Sequence, residues 1–518
     1  MADITRGVRA FTVGTAISRI FGLARESVFA YLYGAGRSTD AFVAAFRIPN
    51  LLRDLFAETA LSAAFVPILS AEKQKGKDQQ NLIASNIFNI LLIIVGAIVV
   101  LGIILAPYLV KIIAYGFEKI PDKQGLTAVL TVIMFPFLLF VALAAWAMGY
   151  LNTEREFFIP SVAPALFNII SIAIPLMSYA YFVRNGTDPI YAMAYGVLIG
   201  GLLQFLIQVP ALFIKGFHYK PYINFRDPTL HKILVLFVPV ALGLAASRIN
   251  VAVDTFLISF LEERSMTWLN YAFRIMHLPL GLFGVAVGTV ALPAISKYVV
   301  EGRHGEAKST FFDSLHLVLF LTITTSIIIA FLAQPITRLI YERGRFTPYD
   351  TYATTQALIL YIIGVPFIAA IRNVAAAFYA YRDAKTPMYA SFIAVGLHVV
   401  ISLGLMRAIG FRAFPLATTI ASFVNLAILV QRLHRKVGPF EKSPLVDYAT
   451  RLVLAAMIGG FAGFMLNSVL TGFLGTSFPA QILNLGLSGP AALAVCYAAC
   501  LLLGVTEARH YLRRLFRR

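Results

Sequence analysis

Apolar runs of about 20 residues recur along the whole chain, separated by short polar turns, and each is long enough to cross a hydrocarbon layer roughly 30 Å thick. Reading these runs against the turn signals predicts fourteen membrane-spanning helices, at about 10–33, 41–70, 84–114, 126–151, 160–183, 190–214, 231–261, 267–298, 309–340, 352–381, 388–408, 414–433, 447–471 and 482–508. Prolines interrupt many of them, among them Pro49, Pro67, Pro136, Pro175, Pro239, Pro293 and Pro366. Each removes a backbone donor and is tolerated where a neighbour or cavity water satisfies the freed carbonyl. Such prolines read either as the bends of rocking helices or as the proline ordinary in membrane segments. The small-residue pairs Gly196/Gly200, Gly284/Gly288 and Gly459/Gly463 are expected packing seams.

The pattern repeats. "AFRIPNLLRDLFAETALSAAFVPILS" from Ala45 answers "AFRIMHLPLGLFGVAVGTVALPAIS" from Ala272, an offset of 227 residues, and "ISRI" at Ile17 answers "ASRI" at Ala246. The repeat predicts an all-α polytopic membrane protein of two pseudo-symmetric six-helix lobes, 1–215 and 216–440, followed by two extra helices and a basic tail at 441–518. An even number of spans per lobe leaves the two lobes in the same orientation, related by an axis along the membrane normal with a central site between them.

Composition agrees with this reading. The chain of 518 residues is 59% hydrophobic and 13% charged, against about 25% charged in soluble domains. The net charge of +18 could suggest nucleic acid, but most basic residues lie in the short loops. With the N-terminus inside, twenty-five Lys and Arg fall on the inner side and eleven on the outer, which predicts cytoplasmic termini and no nucleic-acid partner. Arg6 and Arg9 precede the first apolar run as in a signal peptide; without a convincing small-residue cleavage site it reads as an uncleaved first helix. Cys496 and Cys500, four apart, would share one helical face as small core residues.

Seven arginines, Arg19, Arg25, Arg47, Arg53, Arg248, Arg274 and Arg372, fall inside expected spans. An arginine at the bilayer centre costs roughly 2.5–3.5 kcal/mol on insertion scales, so such residues usually face a protein interior or a watery cavity. Several together suggest an anion site. Arg19 and Arg25 stand about 120° apart around an ideal helix; Gly22 between them could bend it. The plainer readings pair Arg19 with Glu26, leave Arg25 reaching for a headgroup, and give Arg53 a partner in Asp54 or Glu58. Arg274 is clearer, with no acid between Glu263 and Glu301, and His277 is a polar lining residue on the same side. Arginine suits a diphosphate because its planar fork donates two hydrogen bonds and stays charged. Glu58 and Arg372 could form a bridge that opens and closes as a gate, or a static pair.

The block "ISRIFGLARESVFAYLYGAGRSTDAFVAAFRIPNLLRDLFAETALSAAFVPIL", with "ERGRFTPYD" at 342–350 and "GVAVGTVALP" at 284–293, resembles the MurJ/MviN-type lipid II flippases of the multidrug/oligosaccharidyl-lipid/polysaccharide exporter superfamily. The resemblance implies a flippase, not an enzyme, that moves the undecaprenyl-diphosphate-linked peptidoglycan precursor from the cytoplasmic to the periplasmic leaflet by alternating access. It would act as a monomer in the bacterial inner membrane, in contact with lipid II and membrane lipids. By position, Arg19, Arg25, Arg53 and Arg274 match the family's required cavity arginines, Asp40 matches a further acidic position and Arg47 one that tends to be basic; on the reading of the residues themselves, Arg248 and His277 join these two as secondary cavity positions. The last two helices would form a groove for the lipid tail. No cofactor is implied. A monovalent cation site would draw on Asp254 and Thr418, but His398 and Ser402 stand where amide or carboxylate oxygens are expected; this departure points to membrane potential rather than Na+ as the driving force.

Other readings differ in what they require. A flippase for another polyprenyl-linked saccharide would need a similar cationic cavity, and a cation-coupled drug exporter would carry more acids than arginines there. A membrane enzyme acting on lipid diphosphates would need nucleophiles, acids or a metal; HExxH, P-loop, CxxC and nucleophile-elbow motifs are all absent from the sequence. A non-transporting scaffold would leave the arginines within the spans unexplained.

Overall fold

The computed structural model describes residues 2–56, 60–281, 285–438, 443–505 and 508, and all regular structure among them is helical. In hydrocarbon each backbone N–H and C=O must find its partner within the protein, and a helix does this within one segment. The helices break where the chain supplies a reason. Lys123–Met134 gives way to Phe137–Thr153 at Pro136, and Pro348–Ile362 to Val365–Ala380 just before Pro366.

Among the described residues, nine helical stretches are long and apolar enough to cross a membrane, from Lys77–Ile113 to Phe478–Leu502. The Lys385–Val437 stretch alone contains two of the expected spans. The expected spans 10–33, 41–70, 231–261 and 267–298 are not among the nine. These carry six of the seven arginines, and each of them runs into positions whose backbone or side chain lies outside the described residues, to which the nine are confined. Within the second expected span the described helices are Arg37–Phe56 and Ala60–Gln74, and within the eighth Ser265–Pro279 and Val285–Val300; 57–59 and 282–284 lie outside the described residues.

The contacts divide the chain into two units, the first running to Thr267 and including Arg343–Arg345, the second beginning at Trp268. The expected lobe boundary at 215/216 lies inside the first unit. The helix Pro228–Ile258 packs there on Arg37–Phe56, Ala60–Gln74 and Lys77–Ile113. The segment before it is bound as tightly. Gln80, Asn81, Ser85, Asn86 and Asn89 form a buried polar stripe on the first turns of Lys77–Ile113, and residues 216–224 lie along it. Asn81 Nδ2 donates to the Gly216 carbonyl at 3.0 Å, and Ser85 Oγ accepts from the Lys220 amide at 3.0 Å. Asn89 Nδ2 donates to the Tyr222 carbonyl at 3.0 Å. Asn86 makes a reciprocal pair with Asn224, donating to its carbonyl at 3.0 Å and accepting from its amide at 2.7 Å. An extended strap thereby satisfies backbone groups that no helix satisfies.

In the second unit the last two helices, Ser443–Leu474 and Phe478–Leu502, pack through small residues. A Cβ on Gly459 would stand 2.5 Å from the Ala492 carbonyl and one on Gly463 2.6 Å from Ala492 Cβ, so the expected seam is present. Cys496 and Cys500 are buried in the same cluster, as core residues. The Gly196/Gly200 seam packs on Ser171 and Phe167; Gly284 lies outside the described residues.

The internal repeat reappears as a repeat of burial. In Arg37–Phe56, Phe46, Arg47, Asn50 and Leu51 interrupt an otherwise buried run, and 227 residues on, Phe273, Arg274, His277 and Leu278 are exposed on Ser265–Pro279. Helix starts keep the same spacing, Lys77 with His304 and Phe158 with Lys385.

Replacing Asn86 with Leu removes both bonds to Asn224 and is expected to cost about 2 kcal/mol of local stability. Limited proteolysis should then cut within 216–227 faster than in the unaltered protein while helix content by circular dichroism stays unchanged; equal cutting rates would show that the strap is held by other contacts.

Candidate functional site

Each unit presents its arginines differently. On Ala2–Tyr33, Arg19 is exposed, whereas Arg25 is nearly buried, its Nη2 2.7 Å from Glu26 Oε1 and its guanidinium 5.4 Å from the centre of the Phe167 ring. Glu26, read from the sequence as a partner for Arg19, therefore pairs with Arg25. The apolar surroundings favour a hydrogen-bonded ion pair over a lone charge. On Arg37–Phe56, Arg47 donates Nη1 to Thr255 Oγ1 at 2.9 Å, tying this helix to Pro228–Ile258, and Arg53 is half-buried in the last turn. The side chain of Arg248 and all of Glu58 lie outside the described residues.

In the second unit Arg274 and His277 share the exposed face of Ser265–Pro279. The His277 ring lies 4.0 Å from that of Phe273, with Nδ1 3.0 Å from the Phe273 carbonyl, which fixes the imidazole against its own helix. Arg372 is exposed on Val365–Ala380. The proposed gate pair cannot be placed, because Glu58 is outside the described residues.

Asp40 corrects the sequence reading most clearly. It does not line a cavity: it is 1% exposed and accepts four hydrogen bonds within the first unit. Lys123 Nζ reaches Oδ2 at 3.0 Å and the Arg264 amide reaches the same oxygen at 2.8 Å. The Thr267 amide and hydroxyl reach Oδ1 at 3.0 and 2.6 Å. Lys123, also 1% exposed, lies 4.2 Å from the centre of the Phe117 ring. Nearby, Arg37 donates to the Pro121 carbonyl at 3.3 Å and Gly116 N–H donates to Ser259 Oγ at 2.9 Å. The knot locks the turns at one end of the unit. Lys123 was not singled out in the sequence; the signal was an acid and a base each just inside a turn at the same end.

Arg345 joins this end too. Its amide donates to the Tyr31 carbonyl at 3.0 Å, and a Cβ on Gly34, at φ 63°, would stand 2.4 Å from the Arg345 carbonyl, so the close approach requires glycine.

The residues of the expected cation site fall in both units. Asp254 is half-buried in the first unit; Thr418, in the second, donates Oγ1 to the Phe414 carbonyl at 3.0 Å within its own helix. His398 and Ser402 are buried on Lys385–Ile409. Among the described residues no three His, Cys, Asp or Glu side chains gather to hold a metal.

Two acids anchor basic loops. Burial raises Glu154, but hydrogen bonds from Lys77, Lys73 and Gln80 outweigh it and hold the carboxyl below its ordinary range. Asp383 is held at about 2 chiefly by the hydrogen bond from Lys436, 2.7 Å away, which with the bonds from Thr386 overcomes the opposing effect of burial.

A family profile described as Lipid II flippase MurJ matches residues 29–483. The chain is 34% identical over 461 residues to the "Lipid II flippase MurJ" of Burkholderia cenocepacia, covering 87% of each. It is 34% identical over 504 residues to the "Probable lipid II flippase MurJ" of Vibrio cholerae, covering 95% of this chain and 94% of that one. Among solved structures it resembles "Lipid II flippase MurJ, inward closed conformation", with a TM-score of 0.76 and 27% identity over 97% of this chain and 99% of that one. An inward-facing multidrug resistance MATE transporter of the MOP superfamily shares the fold at a TM-score of 0.64 and 12% identity, over 83% and 98%.

Lys123→Met strands Asp40 as a buried charge and is expected to destabilise the protein by about 3–5 kcal/mol. The double change with Asp40→Asn should recover much of the loss; thermal unfolding of the purified variants decides, and equal losses in single and double variants would rule out the ion pair as the anchor. Because Asp383 is depressed in the folded state, its contribution is complete above an unfolded carboxyl value of about 3.9 and is lost as pH falls through about 2. The melting temperature is therefore expected to drop more steeply across that window in the unaltered protein than in Asp383→Asn.

Proposed function

This chain belongs to the lipid II flippase MurJ family, and on that premise we propose that it carries lipid II, the undecaprenyl-diphosphate-linked peptidoglycan precursor, from the cytoplasmic to the periplasmic leaflet of the bacterial inner membrane. The observation that carries the proposal is Arg274: a cation exposed on a helix face with His277, in a chain whose mean hydropathy is +0.80. Exposed charge on such a helix is expensive in lipid and favourable where water or an anion meets it. Arginine's planar fork matches the diphosphate, the part of this substrate that hydrocarbon excludes most strongly.

In this reading Arg19, Arg53 and Arg274 contact the diphosphate, and Arg25, through its pair with Glu26, shapes the wall beside them. Arg47, Arg248 and His277 stand behind, and Asp40 holds the scaffold without touching substrate. Fourteen crossings form two six-helix lobes and a final helical pair; the basic loops place both termini in the cytoplasm. Rocking of the lobes exposes the arginines to one leaflet and then the other, with a Glu58–Arg372 bridge as gate, while the polyprenyl chain remains in lipid along the last two helices. The protein works as a monomeric transporter without a cofactor. Moving substrate charge across the membrane potential supplies the drive, about 2.3 kcal/mol per elementary charge per 100 mV.

Depletion of the protein in its host is expected to strand labelled lipid II in the cytoplasmic leaflet. Restoring Arg274→Ala should leave translocation at least about tenfold slower, the loss of one charge-assisted hydrogen bond, with Arg274→Lys between the two. Normal translocation after depletion, or in cells carrying only Arg274→Ala, would end the reading.

A further inference from the structure

A cavity of about 310 Å³ lies in the second unit, where the helix Ala333–Tyr341 meets the ends of Ser443–Leu474 and Phe478–Leu502. Its wall is polar although the helices that build it are apolar: Gln334, Arg338, Asn467, Thr471, Gln481 and Asn484 all line it. Two features mark it as built to hold a ligand. Asn484 is 2% exposed, and its Nδ2 is directed to Thr471 Oγ1 and the Gly475 carbonyl, both at 3.3 Å; among the described residues no group donates to its buried Oδ1. Such an orphan acceptor costs about 1–3 kcal/mol unless a donor arrives. Arg338 is the second: its Nε lies 3.3 Å from Glu342 Oε2, and its terminal amino groups have no partner among the described residues. The cavity thus offers an open guanidinium fork for an anion and, nearby, amides and hydroxyls for neighbouring hydroxyl groups.

Its surroundings identify the source of the ligand. Phe473, Leu474, Phe478, Ile482 and Leu483 are exposed at the same helix ends, and the cavity includes Gly475 and Thr476 of the turn between these helices. Apolar side chains against hydrocarbon beside polar groups at a helix end match the level at which headgroups lie.

We propose that this cavity binds the headgroup of a hydroxylated anionic phospholipid of the phosphatidylglycerol type. The phosphodiester meets Arg338, the headgroup hydroxyls meet the accessible amides of Gln334 and Gln481, and the acyl chains lie on the exposed apolar side chains. None of the arginines assigned to the diphosphate lines this cavity, and its occupancy does not depend on translocation.

The test is native mass spectrometry of the full chain released from detergent, with phosphatidylglycerol, phosphatidylethanolamine or water-soluble glycerol 3-phosphate added. The expected result is a retained phosphatidylglycerol adduct, reduced about tenfold by Arg338→Gln and about threefold by Gln334→Leu, a change at an exposed position. Melting temperatures of both variants, matched to that of the unaltered protein, separate lost binding from lost folding. Equal adducts in all three proteins would overturn the proposal. Glycerol 3-phosphate retained as strongly as the lipid would also overturn it, identifying a soluble-anion site, and equal retention of phosphatidylethanolamine would remove the requirement for headgroup hydroxyls.

Discussion

Hydrocarbon offers neither hydrogen bonds nor counter-ions, and every polar group this chain carries into its apolar interior has to be satisfied by the protein itself. Helices meet that demand for most of the backbone. Where the chain leaves helix, side chains take over. The strap at 216–224 gives its peptide groups to Gln80's neighbours Asn81, Ser85, Asn86 and Asn89, and the turns at the opposite end of the same unit give theirs to Asp40, which accepts from two backbone amides as well as from Lys123 and Thr267. A buried carboxylate with this many donors is stable only as a set: remove the lysine and the charge has no compensation, remove the carboxylate and two amides and an ammonium lose their acceptor.

The same constraint sorts the arginines. Arg25 is neutralised by Glu26, and Arg47 is spent on a bond to Thr255 between helices. Arg19 and Arg274 remain exposed. A charge held by a buried neighbour contributes to the scaffold, whereas an exposed one meets whatever the surface meets. Arginines that look equivalent as interruptions of apolar runs therefore do different work, and only their surroundings distinguish them.

This is also why some features were legible in the sequence and others were not. Helix placement and the 227-residue repeat depend on local periodicity, and they appear in the structure down to the matching faces of Phe46/Arg47/Asn50/Leu51 and Phe273/Arg274/His277/Leu278. The seam at Gly459/Gly463 was legible for the same reason, since small residues four apart on one helix suffice to define it. Asp40 was misplaced because its partners come from positions 123, 264 and 267, and no spacing along the chain announces such a meeting. The choice of Glu26 by Arg25 over Arg19 was likewise open from spacing alone.

The repeat shows what duplication retains and what it releases. Burial is retained, because a helix that changed its inward face would lose its packing against several neighbours at once. The residue types of the less buried face are largely kept too, with Phe46/Phe273, Arg47/Arg274 and Leu51/Leu278 identical and Asn50 answered by His277; what differs is their surroundings, Arg47 donating to Thr255 and Arg274 standing exposed. A duplicated helix can thus keep its face and its packing while the same residue type, arginine, is tethered in one copy and exposed in the other.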